Sequence, residues 1–249
     1  MFKIVSLLAF SLVGVSAYGV PTLQLGIGGG EYDLLTETVV STDNLFTLFA
    51  YGKATGGKAI DVTESHYISI ALTPQTGPVP EPFGSFQFNG TTYDVDNMDY
   101  GNPPFEAVLD HEPGDLAPHS VFNTFFLELE FLFSASMTTA TVNTQDSPDH
   151  VPTGLGGDLY YQSFDLDVSN LLPGFGLHFD LYNSEFIAGD VDIDNFAPFS
   201  HDAGTAEPVP EPTTISLLAL SLLTIAGLAR RRRRPVVTVT GSTGSDARL

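Results

Sequence analysis

Between residues 22 and 203 the apolar residues come in short runs with a period of two, and this pattern constrains the fold more than any other feature. Leu23-Gln24-Leu25, Tyr67-Ile68-Ser69-Ile70-Ala71-Leu72 and Phe164-Asp165-Leu166-Asp167-Val168 are examples. Successive side chains of an extended chain project to opposite faces, so each run offers one apolar face to a sheet. Residues 45–51, 121–133, 138–142 and 177–182 read the same way. Asn89-Gly90, between Phe86-Gln87-Phe88 and Thr91-Thr92-Tyr93, predicts a two-residue hairpin, because both residues accept the positive φ of a type I′ turn. Gly26-Ile27-Gly28-Gly29-Gly30 lacks the lysine and the strand-to-helix setting of a phosphate loop and reads as a turn between early strands. No amphipathic run of ten residues interrupts the pattern. The expectation is an all-β, antiparallel, jelly-roll-like β-sandwich. Its core is predicted to draw on Phe46, Leu48, Tyr67, Ile70, Phe86, Phe88, Phe126, Phe131, Phe133, Phe164, Leu166, Leu177 and Phe179.

Charge narrows the partners. Between Tyr18 and Pro208 only Lys53 and Lys58 oppose 28 carboxylates, a net charge of −26. Such a surface repels a phosphate backbone and excludes nucleic acid as a partner, while suiting solubility, salt-rich surroundings or divalent cations. The chain has no cysteine, so it has no disulfide framework, thiolate metal site or cysteine nucleophile.

Both ends carry targeting patterns. Lys3, an apolar run over residues 4–15 and the small residues of Val15-Ser16-Ala17 have the layout of a signal peptide, with cleavage expected between Ala17 and Tyr18. Near the other end, residues 213–229 are uncharged and rich in Leu, Ile and Ala, which as a helix spans about 25 Å and suffices for one membrane crossing. Arg230, Arg231, Arg232, Arg233 and Arg234 follow at once. A cluster of that kind stays cytoplasmic and places the preceding domain on the outer side. Glu207-Pro208-Val209-Pro210-Glu211-Pro212 puts proline at every second position and forms a stiff, extended spacer. The expected organisation is a signal peptide at 1–17, a β-sandwich ectodomain at 18–203, a linker at 204–212, a transmembrane helix at 213–229 and a cytoplasmic tail at 230–249.

The order of Val209-Pro210-Glu211-Pro212, a short apolar helix and an arginine cluster resembles the PEP-CTERM sorting signal of exopolysaccharide-producing bacteria. The resemblance implies an exported protein held in the inner membrane with a periplasmic ectodomain. It further implies recognition at Pro210, Glu211 and Pro212 by a processing enzyme of the exosortase class, then delivery to the cell surface or the extracellular matrix. Val79-Pro80-Glu81-Pro82 repeats the tetrapeptide, but Phe83-Gly84-Ser85-Phe86 follows it, so that copy reads as a loop. Pro21-Thr22-Leu23-Gln24-Leu25, residues 46–52 and Phe196-Ala197-Pro198-Phe199-Ser200-His201-Asp202-Ala203 are similar to the choice-of-anchor N family. That likeness implies a location and a fold, and it transfers no active site.

Candidate chemistry in the ectodomain is sparse. Asp190, Asp192 and Asp194 alternate with Val191 and Ile193, so a regular strand sets three carboxylates on one face, either to hold calcium or to remain the solvated face of an edge strand. The EF-hand pattern is absent, with Asn195 at its glycine position and His201 at its final glutamate. Asp94, Asp96 and Asp99 form a second acidic group. Asp110, His111, Glu112, Asp115 and His119 could ligate zinc, but Pro113, Gly114 and Pro118 make the stretch a loop without HExxH geometry. His201-Asp202 could orient an imidazole, yet no nucleophile elbow accompanies it. No cofactor motif is present. These residues leave three readings: a noncatalytic envelope component, a calcium-assisted module that binds exopolysaccharide, and a secreted hydrolase.

Overall fold

The computed structural model describes residues 20–79, 81–103, 123–187 and 190–206. The first strands are β1 (Leu23–Ile27), β2 (Glu31–Asp33), β3 (Thr38–Ser41), β4 (Leu45–Lys53) and β5 (His66–Thr73). β6 (Ser85–Phe88), β7 (Thr91–Asp94), β8 (Asp99–Gly101) and β9 (Thr124–Phe131) follow. The last are β10 (Thr138–Thr139), β11 (Leu159–Asp167), β12 (Gly176–Ile187), β13 (Asp190–Phe196) and β14 (Asp202–Thr205). Two 3-10 turns, at Val95–Asn97 and Phe199–His201, complete the inventory, and the described residues contain no α-helix. The described residues are all-β, as their period-two pattern requires.

The strands form two sheets. One runs β1-β4-β11-β6-β7 with β10 beside β11, and the other runs β2-β3-β14-β12-β5-β9-β8 with β13 beside β12. The sheets face each other across one core. Leu23, Leu25 and Ile27 of β1, Leu48 of β4 and Phe86 of β6 meet Ile68, Ile70 and Leu72 of β5 and Phe179 of β12, all fully buried. Edge-to-face rings bridge the layers, Phe46 to Phe179 with centroids 6.2 Å apart and Phe131 to Phe164 at 5.1 Å. The Asn89-Gly90 hairpin forms as expected: φ is +49° at Asn89 and +76° at Gly90, and Phe88 pairs with Thr91.

Two expectations change, and one outer face proves to be covered. The second sheet is mixed, because β14 lies parallel to β3 with Asp202 beside Thr38 and Ala203 beside Val39. A parallel pair needs a long crossover, and almost the whole domain lies between these two strands. Tyr67 and Phe126 leave the central core. The inward phase of β5 belongs to Ile68, Ile70 and Leu72, so Tyr67 stacks on Tyr182 across the outer face, with centroids 5.6 Å apart. Phe126 pairs with Ala71 in the same outward phase. Finally, the outer face of the first sheet is covered. Phe49, Tyr51, Leu159 and Tyr161 pack with Val142 into a second apolar cluster, and the Tyr51 hydroxyl donates to the His150 carbonyl at 3.1 Å. Gln24, outward in β1, is therefore 1% exposed.

Candidate functional site

β12 sends Leu177, Phe179 and Leu181 into the core, so His178, Asp180 and Tyr182 take the opposite face of the second sheet. Two neighbouring strands add polar groups to that face. β14 pairs antiparallel with β12 through His178 with Gly204 and Phe179 with Ala203, and continuing that register sets Asp202 beside Asp180. On the other side, β5 places Ser69 directly across from Asp180, and β9 places Glu128 across from Ser69. A lateral row of Asp202, Asp180, Ser69 and Glu128 thus crosses four adjacent strands.

An outward face of this kind ordinarily meets water. Here His178 is 9% exposed, Asp180 4%, Asp202 1% and Ser69 0%. His178 Nε2 lies 3.3 Å from Asp180 Oδ1 and 3.8 Å from Asp202 Oδ2. Both separations exceed the roughly 2.7–2.9 Å of a charge-assisted hydrogen bond. One ligand atom from each of the three residues lies within 4.8 Å of the other two, the one such convergent group among the described residues. Burial, reinforced by the Asp180 charge, holds the Asp202 carboxyl well above the usual carboxylate range. Two acids and an imidazole thus converge on one buried face as a set of donors able to hold a cation. The Ser69 Oγ is also buried, and it makes no hydrogen bond.

Of the described residues singled out from sequence as candidate chemistry, Asp202 alone belongs to this group, and the others fall elsewhere. Asp190, Asp192 and Asp194 lie on β13, as their alternation requires. The β12–β13 register shifts between Asn183 and Ser184, so Asp190 pairs with Ile187 and Asp192 with Glu185 while Asp194 falls at the irregularity. Strict alternation thus stops short of the third carboxylate's backbone position. Asp94, Asp96 and Asp99 are exposed around the first 3-10 turn. His201 and Asp202 do not work together. His201 Nε2 is 3.0 Å from Asn143 Oδ1 and its Nδ1 is 2.8 Å from Ser200 Oγ, whereas Asp202 faces His178. Asp110, His111, Glu112, Asp115 and His119 lie outside the described residues, as do Ala17, Val209 to Pro212 and Arg230 to Arg234. No helix of the described residues is long and apolar enough to cross a membrane, and residues 213–229 are not among them.

His178 and Asp180 were visible in sequence only as the polar half of the run at 177–182. Asp202 lies 22 positions beyond Asp180, and only the β12–β14 pairing brings it to them.

The deciding observation for cellular role is at the chain's end, where the linker, the apolar run and the arginines fall within one recognised unit. Residues 208–234 match the PEP-CTERM protein-sorting motif. A PEP-CTERM tail implies exosortase-dependent sorting of an exported protein, with membrane association before processing. The match begins downstream of the ectodomain, and no finding supports the likeness to the choice-of-anchor N family. No curated protein and no solved structure is similar to the chain.

Proposed function

We propose that this chain is a noncatalytic component of the cell envelope or its extracellular matrix, exported by a signal peptide cleaved between Ala17 and Tyr18. Its PEP-CTERM tail holds it in the inner membrane across residues 213–229, with Arg230 to Arg234 in the cytoplasm and the ectodomain in the periplasm. An exosortase-type enzyme then acts at Pro210-Glu211-Pro212 and releases the ectodomain toward the surface. The observation that carries this reading is the sorting motif at residues 208–234. The acidic, cysteine-free ectodomain is compatible with such a journey, since its folding needs no oxidising compartment.

The test is mass spectrometry of the protein recovered from the membrane and the medium of the exosortase-bearing host. Medium protein is expected to start at Tyr18 and to lack the arginine cluster. With Glu211→Ala the full tail is retained and the protein stays with the membrane. Release of both forms with intact tails, or a membrane protein that still begins at Met1, refutes the assignment.

A further inference from the structure

The geometry points to a divalent transition-metal site on the second sheet, with His178 Nε2, Asp180 and Asp202 as ligands and zinc as the ion of best fit. This goes beyond the sorting role and does not depend on it. The donor set argues for the metal class. One imidazole with two carboxylates suits zinc and its first-row neighbours, whereas calcium and magnesium favour shells made of oxygen alone. Two aspartates also neutralise a dication, so a filled site carries no net charge into a face where Asp202 is 1% exposed.

Spacing agrees with the chemistry. Ligand atoms about 2.1 Å from an ion in a tetrahedral shell stand about 3.4 Å from one another. Nε2 of His178 lies 3.3 Å and 3.8 Å from the two carboxylate oxygens, so small side-chain adjustments close the shell. A fourth position also has an unused donor beside it. Ser69 is fully buried and directly opposite Asp180, and its Oγ has no hydrogen-bond partner. A buried hydroxyl left unpaired is destabilising, so its retention directly across from Asp180 indicates a further polar occupant on that face. Either the hydroxyl ligates the ion or it bonds a water that does. The ligands come from neighbouring strands held in register, which fixes their geometry before any ion arrives. Because β14 is the last strand described, the ion staples the C-terminal end of the ectodomain to β12.

The experiment uses the full chain in detergent, stripped with chelator and then reloaded. Zinc is expected to bind at one equivalent per chain. At 100 times its Kd it raises the melting midpoint by roughly 5–11 °C. Calcium, magnesium and sodium at matched ionic strength give a much smaller shift. Asp180→Asn and His178→Gln abolish the zinc-specific shift, and Ser69→Ala keeps the stoichiometry while weakening affinity. Absence of zinc uptake by the wild type, or the same zinc shift in Asp180→Asn, overturns the site. Should the ligand variants fail to fold, X-ray absorption of the zinc-loaded wild type still decides. One imidazole nitrogen and two or three oxygens at about 2.0–2.2 Å support the assignment, and a shell with two imidazoles or with none refutes it.

Discussion

Replacing Gln24 by leucine isolates what holds the covered side of the first sheet. The Gln24 side chain donates from Nε2 to the Val142 carbonyl at 2.8 Å and accepts from the Thr144 amide at 3.0 Å, so it acts as a short piece of strand ladder for a loop. Gln24 is 1% and Thr144 0% exposed, and neither backbone group has water to turn to if the amide is removed. Leucine is close in volume and adds apolar burial, but it leaves one carbonyl and one N–H unpaired at about 1–3 kcal/mol each. A net loss of roughly 2–4 kcal/mol follows. In a domain of this size that lowers the melting midpoint by roughly 4–16 °C. Urea denaturation of the full chain in detergent measures it. Limited proteolysis supplies the local readout, with new cleavage expected in residues 140–158, where Val142 otherwise packs on Phe49, Tyr51, Leu159 and Tyr161. Thr47→Val, which removes only the exposed bond from the Thr47 hydroxyl to Asp165, is the control and should cost less than about 1 kcal/mol. A Gln24→Leu protein within about 0.5 kcal/mol of wild type would refute the reasoning.

Three further outcomes are expected. His66 is fully buried, its Nδ1–H donates to the Glu64 carbonyl at 3.0 Å, and burial lowers its pKa below the usual imidazole value. The unfolded chain therefore binds a proton that the native state resists, and stability present above about pH 6.5 falls as the pH drops toward the lowered pKa. His66→Phe should flatten part of that slope in urea titrations at pH 7.5 and 5.5, and an unchanged slope rejects the assignment. At Gly84, φ is +94° and a Cβ would collide with the Asn170 carbonyl oxygen, so Gly84→Ala should lower stability by more than about 1 kcal/mol in the same assay. For the β13 carboxylates, a calcium-specific rise in melting temperature that Asp192→Asn removes would establish a site. Equal shifts in calcium, magnesium and matched sodium would leave them as a solvated face.

Legibility followed the range of the interactions. The Asn89-Gly90 turn was readable because its backbone requirement is met by the two residues themselves. Strands β4, β5, β11 and β12 were readable because each contributes its own apolar half to the core. What covers an outward face was not readable. Gln24 looks solvent-facing in Leu23-Gln24-Leu25, and only residues 142–144, more than a hundred positions away, bury it. Tyr67 has the composition of a core residue, but it starts its run in the outward phase, and a one-residue offset exchanges the faces. β2, β3, β8 and β14 are three or four residues each, too short for periodicity to separate them from loops. The convergence of His178, Asp180 and Asp202 was hidden for the same reason as β14.

The covered outer faces change how polar residues in the strands should be read. A sandwich with two wet outer faces tolerates any polar side chain there, and its identity carries little information. Once those faces are buried, every polar atom on them needs a partner. Gln24 meets that demand with backbone groups, through both ends of its amide. Thr124 meets it by donating to the Leu72 carbonyl at 2.7 Å. Ser69 does not meet it within the described chain, and the residues directly across from it on the adjacent strands are two acids, Asp180 and Glu128. Alanine at that position would remove the penalty at no packing cost, whereas serine is explained if an ion or its water occupies the face. The case for a ligand therefore rests less on the number of acidic groups, which is high across this whole ectodomain, than on a buried, unpaired hydroxyl directly across from a member of a convergent set of metal donors.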